Sequence, residues 1–429
     1  MIDISVSIEL CGSQIKVGSI VGETNDTACF SYSKDYLESK ESHSISISLP
    51  LREEPFSPEE TRGFFEALLP EGYTRKTVAG WLRVDEGDYL GILKELGREC
   101  IGAIRLKDSS AQDEDMPVYK KLTQEQLKEL AREGIQSSTK LLTGSRISLA
   151  GASGKTGLFY DESKGDWYIP LGDAPSTHIV KQSHIRLSSI VTNEKLSMMA
   201  AELLGIHTPE SFILDTGNGE EEDVLFATKR FDRLFADNPK VIDGLPVPYR
   251  LHQEDFGQAL KIKSEHKYET GGGLYLKKMF DLLRAYSANP VEDTLKLWDM
   301  VIFNYLIGNT DGHVKNFGLL YNEDLSQVRL APAYDIISTV IYEESTRDMA
   351  FGIDGIYDIG NITRKNFENE AAKCGLGVKM AMRCFDKMAA DFEETLVKAS
   401  EQLKAQGFGK AVEICGKILK ERKNKSVGE

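Results

Sequence analysis

Asp311 and Asn316 stand five positions apart in the segment Asn304-Tyr-Leu-Ile-Gly-Asn-Thr-Asp-Gly-His-Val-Lys-Asn-Phe-Gly-Leu-Leu-Tyr321. An acid and a carboxamide at this spacing, in a short polar loop between apolar stretches, suit phosphoryl transfer. The carboxylate can accept or orient the proton of an attacking hydroxyl, and the carboxamide oxygen is a hard, neutral ligand for Mg²⁺. This is the separation found in a kinase catalytic loop. A hairpin is predicted next, with strands over 317–321 and 327–330 around a turn at 322–326. Its return brings Asp335, in Ala333-Tyr334-Asp335-Ile336-Ile337, toward Asn316, where a second carboxylate completes a Mg²⁺ site. No Phe-Gly follows Asp335, so the pattern departs from that of ordinary protein kinases. Taken singly, Asn309, Asp311, Asn316 and Asp335 read better as Asx-turns and caps. Taken together, with Lys315 beside them, they favour chemistry. His313 reads equally well as an orienting partner or as a packed loop histidine.

A phosphate-handling segment is expected upstream. Ile147-Ser148-Leu149-Ala150-Gly151-Ala152-Ser153-Gly154-Lys155-Thr156 is small and glycine-rich, and small residues let backbone N–H groups approach phosphate oxygens. Gly154-Lys155-Thr156 resembles the end of a Walker A loop. That motif needs a glycine where Leu149 stands and a helix after it, so a P-loop NTPase is the runner-up only. An ordinary hairpin turn is the plainer alternative. Lys181 ends a predicted strand and can neutralise α/β-phosphate charge, with Glu194 as its ion-pair partner. Lys229, Arg230 and Phe231 end another strand, whose backbone could meet an adenine edge while Phe231 packs nearby. A mere connecting segment is the alternative there.

The elements that would hold these residues follow from periodicity. Alternation predicts strands at Ile4, Val6, Ile8 and Leu10 and again over 44–51. Ser57-Pro58-Glu59-Glu60 opens a helix whose apolar face carries Phe64, Phe65, Leu68 and Leu69. Residues 107–122 read as a linker or exposed loop and 123–133 as a short helix. Residues 145–160 read as strand–loop–strand. Short strands are expected over 167–171, 178–181, 211–214 and 224–231. Asn193 is expected to cap a helix over 193–204 that stops at Gly205. From about residue 250 the pattern is helical, over 256–260, 274–286, 292–306 and 379–404. Glu254 and Asp255 are expected as helix N-terminal charges, and Gly271-Gly272-Gly273 as a flexible loop. The predicted units are 1–110, 111–248 with the phosphate loop, and 249–429.

Bulk properties narrow the classes. The 429 residues carry a formal charge of −15, which disfavours direct nucleic-acid binding by the chain as a whole. The basic run 417–425 is the one candidate patch, and it reads more simply as a solvated tail. The six cysteines show no paired spacing and read as reduced, mostly buried thiols. No apolar run approaches a membrane span and no leader is evident, so a cytoplasmic protein with no membrane partner is expected.

With these residues in view, the chain resembles the HipA-type serine/threonine kinase toxins. The resemblance is carried by 147–158, 177–181, Arg230-Phe231-Asp232-Arg233, His252-Gln253-Glu254-Asp255, 308–317 and 334–338. Ser48-Leu49-Pro50-Leu51, residues 64–70 and Gly102-Ala103 extend it to the N-terminal region. The resemblance implies an α+β, two-lobed protein-kinase-like fold, β-rich then helical, with an additional N-terminal α/β subdomain. It implies Asp311 as catalytic base and Asn316 and Asp335 as Mg²⁺ ligands. It places Lys181 and the loop Ala150, Gly151, Ala152, Ser153, Gly154, Lys155 on the ATP phosphates. Lys229, Arg230 and Phe231 would line the adenine site, with His313 and Tyr334 also on the nucleotide side. Ser148 matches the serine that family members autophosphorylate, which expels the phosphate loop. The implied partners are a small DNA-binding antitoxin of the HipB type, through which most DNA contact is made, and a protein substrate such as an aminoacyl-tRNA synthetase, glutamyl-tRNA synthetase being the best known. Two departures stand out: Ser153-Gly154 replaces a usual Gln-Glu, and Lys229 replaces a Glu. A binding-only pseudokinase held in a repressor complex is the alternative within the same family.

Overall fold

The computed structural model describes residues 1–110, 116–133, 149, 154–183 and 187–426. The first unit is an antiparallel four-stranded sheet in the order Cys29–Tyr32, Ser13–Gly22, Ile2–Leu10, Ile104–Asp108. Alternation works as expected here: Ile4, Val6, Ile8 and Leu10 are buried in one core with the apolar residues of the helices Pro58–Phe65 and Tyr89–Leu96. Pro58–Phe65 starts with a reciprocal capping box between Ser57 and Glu60, and Phe64, Phe65, Leu68 and Leu69 are buried.

Residues 44–51 are not a strand. They form turns closed by a bridge between Ser46 and Leu49. Both the apolar Ile45 and Leu49 and the polar Ser46 and Ser48 are buried. The polar ones go inward because a buried carboxylate, Glu254, accepts from Ser46 Oγ at 2.5 Å and from Ile47 N at 3.0 Å.

The middle unit is a six-stranded antiparallel sheet in the order Val118–Lys121, Asp166–Leu171, Lys155–Asp161, His178–Gln182, Val224–Lys229, Ser211–Asp215. Both ends of the expected 107–122 linker are therefore strand. The first strand expected over 145–160 lies outside the described residues. The helix Ile190–Leu203 packs on this sheet. Its N-cap position is Ser189, four residues before the expected Asn193. Asn193 is fully buried instead, donating to Ser338 O at 2.9 Å and Tyr342 Oη at 3.0 Å.

The last unit is helical: Tyr275–Tyr286, Pro290–Ile307, Arg364–Lys373, Val378–Ala405 and Lys410–Ser426. A small sheet, Gln253–Asp255 with Gly318–Tyr321 and Val328–Leu330, includes the predicted hairpin. The run 417–425 belongs to a docked helix and not to a tail. Ala411, Ile414, Cys415 and Ile418 are buried at helical spacing, and the Arg422 guanidinium lies 4.7 Å from the Phe392 ring. One contiguous apolar core joins the N-terminal sheet to these helices. Of the six cysteines, Cys100, Cys374 and Cys415 are buried, Cys11 is exposed, and all six are free thiols. Among the described residues, no helix is long and apolar enough to cross a membrane.

Candidate active site

The helix Pro290–Ile307 is stopped by Gly308, which adopts φ +77°. A Cβ there would also stand 2.3 Å from Val340 Cγ2, so glycine alone fits the turn into the loop. Asn309 is buried, donates to Asn304 Oδ1 at 2.8 Å, and accepts from Asp311 N at 3.1 Å. The Asx-turn thus exists, and Asn309 makes it. His313 N donates to Asp311 O at 2.8 Å and Asn316 Nδ2 to the same carbonyl at 3.4 Å, which fixes the Asp311 backbone. The Asp311 carboxylate itself accepts from the Tyr268 hydroxyl. Burial raises its pKa, against the pull of that hydrogen bond.

Asp335 follows the hairpin in a left-handed conformation, φ +59°, a strained setting for a residue with a side chain. Its Oδ1 lies 2.6 Å from Lys181 Nζ, and the same amine lies 2.5 Å from Glu194 Oε1. Lys181 comes from strand His178–Gln182 and Glu194 from helix Ile190–Leu203. Burial alone would raise the Asp335 pKa, but Lys181 and Lys155 together hold it well below the usual carboxylate range. Lys155 pairs with Lys181 across neighbouring strands, so both side chains share one sheet face. Burial pushes the Lys155 amine down, against the attraction of Asp335.

Lys155 begins the strand Lys155–Asp161 and no helix follows Gly154-Lys155-Thr156. A Walker A lysine sits at a helix start, so the P-loop reading is excluded by this geometry. Ser148, Ala150, Gly151, Ala152 and Ser153 lie outside the described residues. Gly154, Lys155, Lys181, Glu194, Phe231, Asp311, His313, Asn316, Tyr334 and Asp335 all line one cavity of about 350 Å³.

Lys229 and Arg230 line the same cavity, and the expected residues divide further by what their side chains touch. Lys229 Nζ lies 3.0 Å from Glu162 Oε1 and 3.4 Å from Glu210 Oε2. The Arg230 guanidinium is buried and bonded to Asp232, Glu99, Ser176 Oγ and Cys100 O. It is committed to structure, which leaves only its backbone for a ligand. The Phe231 and Tyr334 rings stand 5.8 Å apart, and Tyr334 Oη donates to Lys315 O at 2.9 Å. Lys315 is buried and pairs with Glu71 at 2.9 Å and Asp255 at 3.8 Å. Asp255 caps helix Phe256–Ala259 as expected, while Glu254 is buried. His313 is buried and neutral, its pKa pushed down to about 3 by burial, and its ring meets Tyr268 edge-on at 5.2 Å.

Three residues at this site were not anticipated. Tyr268 and Lys267 lie in a polar stretch without periodicity, and Glu71 stands more than two hundred positions before Lys315, which it binds. Nothing local in the sequence marks them.

Among the described residues, no group of three or more His, Cys, Asp or Glu side chains is placed to hold a metal ion. The oxygen donors that line the cavity include the Asn316 carboxamide and the Asp335 carboxylate, both of a type suited to a hard cation.

Comparison with known proteins agrees with this architecture. The HipA-like C-terminal domain family matches residues 147–396, and the HipA N-terminal domain family matches residues 9–107. The chain is 32% identical over 398 residues to a Sinorhizobium fredii protein named "Putative kinase Y4mE", covering 90% of each. It is 26% identical over 371 residues to the serine/threonine-protein kinase toxin HipA of Shewanella oneidensis, covering 83% of this chain and 81% of that one. A solved structure of the Shewanella oneidensis toxin–antitoxin complex of HipA, HipB and operator DNA contains a chain of the same fold. Its TM-score is 0.78 at 23% identity, covering 97% of this chain and 96% of that one. On these matches the chain belongs to the HipA family of kinase-like toxins.

Proposed function

We propose that the chain is an ATP- and Mg²⁺-dependent serine/threonine protein kinase acting as the toxin of a toxin–antitoxin pair. The observation that carries this reading is the Lys181 amine held between Glu194 and Asp335 in the cavity that Asp311 and Asn316 also line. A lysine–glutamate pair beside a metal-ligating aspartate is the working arrangement of kinase sites.

Asn316 and Asp335 fit Mg²⁺ in chemistry: both offer oxygen, and Asp335 is held ionised by two lysines. Two protein ligands are typical where phosphate oxygens and water supply the rest. When bound, Mg²⁺ neutralises charge on the transferred phosphoryl group. Lys155 and Lys181 supply further positive charge, and Phe231 with the backbone of 229–231 forms the adenine side. Asp311 accepts the proton of the acceptor hydroxyl as its oxygen bonds the γ-phosphorus. The bond from that phosphorus to the bridging oxygen breaks, and ADP leaves.

The remaining parts of the reading rest on family likeness. Ser148 is the autophosphorylation site. The substrate is a translation component such as an aminoacyl-tRNA synthetase, met in the cytoplasm. A HipB-type antitoxin makes most of the DNA contact, which suits a chain of charge −15. The units 1–110, 111–248 and 249–429 are the N-terminal subdomain, the phosphate-binding lobe and the catalytic lobe.

The test is label transfer from ATP by wild type and by Asp311→Ala. Loss of about 10²-fold or more is expected in the variant. Undiminished transfer overturns the role of Asp311. Nucleotide binding without any transfer favours the binding-only alternative. Phosphoproteomics after induced expression of both forms identifies the substrate.

A further inference from the structure

The Tyr268 hydroxyl donates to Asp311 Oδ1, and among the described residues it is that carboxylate's hydrogen-bond partner. The contact is not an accident of a loose side chain. On one flank Lys267 Nζ lies 2.7 Å from Glu71 Oε2. On the other, Glu269 N donates to Ala350 O at 2.7 Å, while its carboxylate accepts from Tyr275 N at 2.9 Å and Gly352 N at 2.8 Å. Anchoring on both sides sets the backbone of Tyr268, and the edge-on contact with His313 at 5.2 Å sets its ring. The Asp311 backbone is fixed separately by Asn309, His313 and Asn316. What the backbone contacts leave undetermined is the rotation of the carboxylate, and Tyr268 determines it.

We infer that Tyr268 is a positioning residue for phosphoryl transfer, holding one oxygen of Asp311 so that the other faces the acceptor hydroxyl. This rests on the kinase reading above. A general base works when its accepting oxygen is already aimed at the proton, and a second-oxygen donor provides that aim without reorganisation. Burial raises the phenol's pKa, so it remains a donor throughout. Tyr268 is 41% exposed, so part of its ring faces solvent beside Asp311.

An opposite role is open to the same contact: a phenol that occupies the acceptor's place and must leave before reaction. The two roles predict opposite signs. The experiment is single-turnover label incorporation from ATP by the full chain acting as its own acceptor, in wild type, Asp311→Ala and Tyr268→Phe, with kcat read as the saturating first-order rate constant and KM as the half-saturating ATP concentration. The phenylalanine keeps the ring and its packing. Positioning predicts kcat lower by about 10- to 100-fold in Tyr268→Phe, the worth of one charge-assisted hydrogen bond, with KM for ATP and melting temperature unchanged. A faster Tyr268→Phe overturns the proposal in favour of a blocking contact. A fall in melting temperature or a rise in KM without change in kcat overturns it in favour of a structural role. Equal activity in an active wild type overturns this proposal alone, whereas a wild type with no transfer overturns the kinase reading and this proposal with it.

Discussion

Glu71 Oε1 lies 2.9 Å from Lys315 Nζ, so the N-terminal unit reaches into the loop that carries Asp311. The other Glu71 oxygen lies 2.7 Å from Lys267 Nζ, next to Tyr268. One carboxylate therefore ties together the two segments that converge on Asp311. Burial works against its charge, but the two lysines hold its pKa down at about 2. Glu71→Gln leaves two cations facing each other in a largely dry setting, with Asp255 3.8 Å from Lys315 as partial compensation. The expected cost is about 3 kcal/mol in denaturant unfolding, with partial recovery when Lys315→Met is added. A loss below about 0.5 kcal/mol would mean that the pair contributes nothing to the joint.

Glu99 makes a second joint. Its Oε1 lies 3.2 Å from Arg230 Nη1 and 2.9 Å from Arg233 Nη2, and both its oxygens accept from Ser176 N. The site is fully buried, yet the surrounding guanidiniums keep the carboxylate near a pKa of about 2. Glu99→Gln strips charge from a cluster that still contains Asp232, so the loss should be about 3 kcal/mol or more. Because Arg230 directly precedes Phe231, ATP affinity should weaken in the same variant. Urea titration and a nucleotide-binding isotherm check the two effects independently.

The site was legible where its parts are near in sequence or follow from local geometry. The spacing of Asp311 and Asn316, the hairpin that returns Asp335 to the same cavity, and the partnership of Lys181 with Glu194 could all be read from pattern. The misses share one cause, a distant partner that reverses a local preference. Ser46 and Ser48 look solvent-facing until Glu254 arrives from two hundred positions away. Asn193 looks like a cap until Ser338 draws it inside. Residues 417–425 look like a tail because five basic residues mask the spacing of Ile414, Cys415 and Ile418.

That docked helix makes its own prediction. Ile418 is 1% exposed, in the core that also contains Phe392 and Leu396 of Val378–Ala405. Ile418→Ala should cost about 3 kcal/mol by lost burial and the void left behind. Lys417→Ala, on the exposed side, should cost less than about 0.5 kcal/mol. A solvated tail would show no difference between the two by thermal unfolding.

Glu254 supplies the pH dependence. It is buried beneath the N-terminal unit, with Ser46, Ile47 N and Tyr321 Oη donating to it. Burial outweighs these donors and raises its pKa from 4.5 to about 7. Below pH 4.5 the carboxyl is protonated in both folded and unfolded chains, and the shift has no effect on stability. Between 4.5 and 7 the unfolded chain releases a proton that the folded chain retains, so rising pH favours unfolding. The full swing is about 3 kcal/mol, complete just above pH 7. Unfolding free energies of wild type and Glu254→Gln, measured from pH 4.5 to 8, isolate this group. The wild type should lose stability relative to the variant as pH rises, and the gap should stop growing near pH 7.5. A gap independent of pH would mean that the three donors hold Glu254 as a carboxylate after all.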